Sequence, residues 1–96
     1  MSVTKEKAEL ISKDLEVLNR AGIHARPASE LAKTASSFKA DIFFEKDNMK
    51  INAKSIMGVI TLGATYKTKI HCTCEGEDEN EAMNALESLF ERRFEQ

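Results

Sequence analysis

The spacing of hydrophobic positions changes several times along the chain, and each change marks an element. From Asp14 to Leu18 the residues alternate, with Leu15 and Val17 on one face, which predicts a short strand. Apolar residues then recur at Ala28, Leu31, Ala32, Ala35 and Phe38, the stripe of an amphipathic helix. Pro27 is tolerated in its first turn, where the N–H that proline lacks has no partner anyway. Asp41 to Glu45 carries Ile42, Phe43 and Phe44, Lys50 to Ala53 carries Ile51, and Lys46-Asp47-Asn48-Met49 lies between them as a turn, so the segment reads as a hairpin. A second, short helix begins after Ser55, whose hydroxyl is placed to cap it. It spends Ile56, Val59, Ile60 and Leu62 on neighbouring surfaces and ends at Gly63. Lys69 to Cys74 sets Ile70, Cys72 and Cys74 against His71 and Thr73, a strand with one buried side and its cysteines facing inward. Asp78-Glu79-Asn80-Glu81 has capping-box spacing and precedes the stripe Ala82, Met83, Leu86, Leu89 and Phe90 of a last helix. This order predicts an α+β open-faced sandwich, a four-stranded antiparallel sheet covered on one face by three helices.

Length and charge narrow the picture. A chain of 96 residues with 42% hydrophobic content fits one small-cored domain. We expect a flexible N-terminal extension over residues 1–13 and a single domain over 14–96. A net charge of −2 with both signs interspersed gives no general drive toward nucleic acid or an anionic membrane. Met1 to Leu10 is charged and lacks the apolar run of a signal peptide, and no segment approaches the roughly 20 apolar residues that span a bilayer, so no membrane insertion is expected. Cys72 and Cys74 are too close along a strand to bridge sensibly, which suits a reducing compartment, and the chain reads as cytoplasmic.

The candidate chemistry sits in Ala21-Gly22-Ile23-His24-Ala25-Arg26-Pro27-Ala28. His24 lies just ahead of the first helix, where unpartnered amides and the positive end of the helix dipole favour an anion. Arg26 adds a planar fork that matches phosphate oxygens, and Gly22 lets the chain bend sharply into the site. A neutral imidazole is a nucleophile near neutral pH, so this arrangement points to a histidine that is itself phosphorylated. Taken singly, His24 could serve only to satisfy a backbone group, Arg26 could be a solvated charge, and Ser55 could be a plain helix cap; the pattern as a whole favours the phosphate reading for the first two. His71-Cys72-x-Cys74 suggests a metal, but alternation sends His71 to the face opposite both thiols, and structural zinc needs four ligands. The acidic run from Glu75 to Glu81 is most simply a solvated turn with a helix cap.

Asn52-Ala53-Lys54-Ser55-Ile56-Met57-Gly58-Val59, Leu62-Gly63 and Glu75-Gly76-Glu77-Asp78-Glu79-Asn80-Glu81-Ala82 follow in order. With the histidine motif they make the chain resemble HPr, the histidine-containing phosphocarrier of the phosphoenolpyruvate-dependent sugar phosphotransferase system, from about Asp14 to about Phe90. The resemblance implies the same sandwich fold and a bacterial phosphocarrier. It implies a pros-phosphohistidine at His24, formed from phosphoenolpyruvate-charged enzyme I and passed to enzyme IIA, with Arg26 stabilising the group. It implies that Ser55 is a regulatory phosphorylation site, with a serine kinase and a transcriptional regulator as candidate partners, and that Ile56 and Met57 dock partners. No cofactor or metal is called for. The chain would be a monomer, a substrate and donor for partner phosphotransferases rather than an enzyme. Ser55 is further expected within partner reach of His24, because the fold would bring the starts of the first two helices to one edge.

An alternative reading is a regulatory adapter that signals through phosphorylation of Ser55 or His24 without sugar transport; intact His24 argues against complete loss of transfer. A third, a small metal-binding module on the Cys-x-Cys strand, is disfavoured by the alternation. Two turns depart from the family pattern: Asn48-Met49 stands where a Gly-bearing pair is frequent, and Tyr66-Lys67-Thr68 lacks the usual glycine after the second helix.

Overall fold

The computed structural model describes residues 10–95. The first nine residues of the expected extension lie outside that range. The elements are β1 (Ile11–Glu16), α1 (Ala25–Ser36), β2 (Asp41–Lys46), β3 (Met49–Asn52), α2 (Ile56–Leu62), β4 (Lys69–Glu75) and α3 (Glu79–Glu91). The strands form one antiparallel sheet in the order β1-β4-β2-β3. α3 covers β4 and β1, α2 covers β3 and β2, and α1 packs between α2 and α3. This is the open-faced sandwich expected from the pattern. Among the described residues no helix is long and apolar enough to cross a membrane.

The core lies between the sheet and the helices. Ile42 and Phe44 from β2, Ile70, Cys72 and Cys74 from β4, and Leu31, Val59, Leu86 and Phe90 from the helices are buried within it. Phe44, Phe90 and Phe94 stack edge to face, with ring centroids 6.3 Å and 5.3 Å apart along the series, an arrangement that adds to their burial. Both thiols face inward; the hydrogen bond to Cys74 and burial push the Cys72 thiol above its ordinary pKa, which keeps it protonated and unreactive. His71 points to the other face, where its Nδ1 lies 2.8 Å from Asp14 Oδ1 on the neighbouring strand.

The structure corrects several local expectations. β1 starts at Ile11, not Asp14, because its pairing with β4 continues from Glu16↔Lys69 back to Ile11↔Cys74. Residues 11–13 therefore belong to the sheet. β1 ends at Glu16 because Val17 leaves the ladder: its N–H donates to Thr68 O at 2.9 Å and its carbonyl accepts from Lys67 N–H at 2.7 Å. The hairpin is tighter than read. Lys46 and Met49 already pair across it, and Asp47 and Asn48 alone make the turn, with φ of 51° and 67°. Two successive left-handed residues are what a primed two-residue turn needs, and Asp and Asn accept that conformation better than other non-glycine residues. The missing glycine after α2 has a parallel answer: Lys67 takes the left-handed conformation itself, at φ 70°.

The capping box at α3 does not form. Asp78 is the N-cap residue but makes no side-chain bond to its own helix. Its carboxylate oxygens accept instead from Lys39 N–H and Ala40 N–H, both at 2.8 Å, tying the start of α3 to the loop before β2. The Lys39 amide, with Ala40 behind it, holds the Asp78 carboxyl below its usual pKa.

Candidate functional site

His24 is the N-cap residue of α1, exposed and in extended conformation at φ −104°, ψ −161°. Its carbonyl accepts the first helical bond, from Ala28 N–H at 2.9 Å, while its imidazole makes no cap bond. The next two residues, Ala25 and Arg26, carry amides that no side chain caps, the third, Pro27, has none, and no acidic residue stands in the first turn. The helix thus begins with an exposed nucleophile, donors without a cap and no competing carboxylate, a combination that suits a transferred phosphoryl group.

Gly22 brings the chain into this position. It sits at φ 77°, and a Cβ there would fall 2.9 Å from Ala64 O, so only glycine satisfies both the conformation and the close approach. The next residue locks the turn: Ile23 N–H donates to the same Ala64 carbonyl at 3.0 Å, and Asn19 Nδ2 donates to Gly22 O at 2.6 Å. The backbone leading to His24 is therefore pinned to the segment that follows α2.

Arg26 shares the helix start with His24 but is already engaged. Its Nη1 donates to Phe94 O at 3.0 Å and lies 3.5 Å from Glu30 Oε1, one turn along α1. The side chain remains about half exposed, at 55%, and a guanidinium has further N–H donors to offer. Phe94 was not foreseen as part of the site. It follows α3 in a stretch where Arg93 and Phe94 have φ of 56° and 60°, and its buried ring against Phe90 fixes the carbonyl that Arg26 uses. The only sequence signal was an aromatic residue just past the last apolar stripe.

Ser55 caps α2 as read, its Oγ accepting from Gly58 N–H at 3.0 Å, and Gly63 closes the helix at φ 66°. Its placement relative to His24 differs from expectation. The hairpin returns the chain to the end of the molecule where α1 finishes, so α1 and α2 run antiparallel. Two contacts fix this arrangement: Ile23, before α1, bonds Ala64, beyond α2, while Lys54 Nζ, before α2, donates to Phe38 O, beyond α1, at 3.0 Å. The starts of the two helices therefore lie at opposite ends of the pair, separated by roughly the 10 Å rise of a seven-residue helix. Ile56 and Met57 belong to the Ser55 end, with 45% and 68% of their surface exposed, more than their apolar character alone would allow in a core.

Comparison with known proteins supplies a second line of argument. The family described as PTS HPr component phosphorylation site matches residues 11–92. The phosphocarrier protein HPr of Treponema pallidum is 42% identical over 87 residues, covering 91% of this chain and 99% of that protein. The HPr-like protein Crh of Bacillus subtilis is 40% identical over 77 residues, covering 80% of this chain and 91% of that protein. Among solved structures, HPr-C-His from Thermoanaerobacter tengcongensis superposes with a TM-score of 0.85 at 45% identity, covering 90% of this chain and 98% of that one.

Proposed function

The chain belongs to the HPr family of phosphocarrier proteins, and from that membership we propose that His24 is its phosphoryl acceptor, charged by enzyme I and discharged to enzyme IIA proteins in sugar uptake. The observation that carries this reading is the uncapped start of α1, with an exposed imidazole at the N-cap and Arg26 two residues on. In the transfer, the lone pair of the pros nitrogen, Nδ1, attacks the phosphorus held by the donor. The N–P bond forms as the donor's bond to phosphorus breaks, and that bonding pair stays with the donor. The other ring nitrogen keeps its proton throughout. Onward transfer reverses these roles, with the imidazole as leaving group. The first-turn amides and the remaining Arg26 donors stabilise charge on the phosphoryl oxygens. The chain acts as substrate and donor for its partners rather than as an enzyme, and since the cycle needs one copy at a time, we read the functional unit as a monomer.

Docking falls to the exposed apolar pair Ile56 and Met57, the flexible thioether suiting a surface that meets more than one partner. Ser55, which holds the helix beneath them, is the proposed point of regulation: a phosphate there adds about −1.5 to −2 charges beside that docking surface. The adapter reading has no observation of its own, since the acceptor motif is complete. Incubation with phosphoenolpyruvate and a generic enzyme I, followed by mass and acid-lability analysis, tests the proposal. One acid-labile, base-stable phosphoryl group is expected, absent from His24→Ala; labelling of that variant at the unaltered rate would overturn it.

A further inference from the structure

The fold treats the sulfur atoms of the described residues unequally. Cys72, Cys74 and Met83 are buried in the core, whereas Met49 is 40% exposed and Met57 is 68% exposed. A thiol is oxidised according to its thiolate character and its exposure, so burial takes both cysteines out of easy reach of a dissolved oxidant. The most accessible sulfur among these residues is then a thioether, and it belongs to the apolar pair assigned above to docking.

Met57 is the second residue of α2, directly after Ile56. What holds α2 lies elsewhere: Ser55 caps its start, Gly63 closes its end, and Val59 and Leu62 are the side chains it buries. An oxygen added to the Met57 sulfur therefore enters water, and the fold survives the change. The same addition at Met83 would put a polar atom into the core, where an unpaired one is costly. Exposure thus separates a change of surface chemistry at Met57 from damage at Met83.

We propose that Met57 is a reversible oxidation site, at which hydrogen peroxide converts the thioether to a sulfoxide and thereby slows charging of the carrier. A sulfur lone pair attacks one peroxide oxygen, and the S–O bond forms as the O–O bond breaks. The leaving hydroxide takes the proton of the transferred oxygen and departs as water, so sulfur loses the two electrons that peroxide gains. A methionine sulfoxide reductase supplied with a dithiol reverses the change, releasing the oxygen as water and leaving a disulfide. The sulfoxide sets a strong dipole in the more exposed member of the apolar pair, and its oxygen must be stripped of water whenever a partner docks there. The effect on charging rests on the docking reading of Ile56 and Met57; the selectivity of the oxidation does not.

Graded treatment of the full chain with hydrogen peroxide, read by peptide mapping, tests the site; the rate of charging by enzyme I, measured after catalase has removed the peroxide, tests the consequence. Met57 should gain its oxygen before Met49 and well before Met83, Cys72 and Cys74, with Met1, which lies outside the described residues, followed on its own peptide. At one oxygen on Met57 the Tm should stay near native while charging slows about threefold to tenfold. Methionine sulfoxide reductases for both epimers, with dithiothreitol, should restore the rate. Each variant is compared with its own untreated sample: peroxide should not change the rate of Met57→Leu, whereas Met57→Gln, polar without any oxidant, should be slow from the start. Earlier oxidation of another described sulfur, or a slowing that persists in Met57→Leu, would overturn the proposal. A slow Met57→Gln beside a full rate for the oxidised native chain would overturn the oxidation switch and leave the docking reading standing; full rates for both would overturn the two together.

Discussion

The first two helices begin on residues in the same structural position and in opposite states. The Ser55 side chain closes α2 by accepting the Gly58 amide, whereas the His24 side chain accepts from none of the amides that open α1. Pro27 widens the contrast, since it removes one of the donors that a side-chain cap would use. The difference teaches what an open end costs and leaves available: α1 forgoes about 1 kcal/mol of cap stabilisation, and its first donors stay available, as the proposed acceptor role of His24 requires. α2, seven residues long, has too little helix of its own to forgo its cap.

The sharpest way to break this comparison is to make α1 begin as α2 does. His24→Ser should abolish phosphoryl acceptance completely while raising stability by about 0.5–1 kcal/mol, or a few degrees in Tm. The gain is limited because Arg26 N–H is the one amide that the new hydroxyl can reach with Pro27 in place. Phosphotransfer and calorimetry on the same sample decide it; a loss of stability would show that the imidazole holds the helix start after all.

The reciprocal change touches the closed end. Ser55→Ala should cost about 1 kcal/mol, which for a domain of this size lowers Tm by about 4–8 °C, with little effect on the rate of His24 phosphorylation. Ser55→Asp keeps an acceptor for Gly58 N–H and should leave Tm near native, yet slow charging by enzyme I about three- to tenfold through the adjacent Ile56 and Met57 surface. A full rate with Ser55→Asp would reduce this residue to a cap.

The third helix start provides the smallest test. Asp78 stands at the N-cap of α3 but spends its carboxylate on Lys39 and Ala40, which lowers its pKa. Its contribution is therefore complete above the ordinary aspartate value of about 3.9 and is lost as pH falls through the depressed folded value. Urea midpoints measured from pH 7 to pH 2 should fall more steeply below pH 4 for the native chain than for Asp78→Asn. Parallel curves would mean that the two amide bonds stabilise equally without the charge.

These three starts also show what a sequence reveals. Ser55 and Gly63 were legible because each acts on backbone within four residues of itself. The helix start at His24 was legible because Gly22 and Pro27, which shape the backbone there, are close in the chain. Asp78 was misread because the amides it prefers are 38 and 39 residues away, and no local spacing announces them. The first residue of β1 depends likewise on Cys74 across the sheet. The relative direction of α1 and α2 follows from how many strands separate them, which the element order contained; the expectation overlooked it by treating helix starts as equivalent. Phe94 was invisible for yet another reason: its ring is ordinary core, and only its carbonyl meets Arg26.

That carbonyl bears on transfer potential. Arg26 does not wait idle for the phosphoryl group, because a neutral acceptor occupies part of its fork whenever His24 is empty. On the proposed reading the phosphoryl group meets only the donors that this acceptor leaves over, so Arg26 would stabilise the charged carrier with part of its fork rather than with all of it. A relay needs its intermediate near the middle of the free-energy descent from donor to recipient. A carrier that gripped its cargo with every available donor would accept quickly and release slowly. On that reading, a resting partner for Arg26 on the segment after α3 would limit how tightly the carrier grips its cargo and so ease its release.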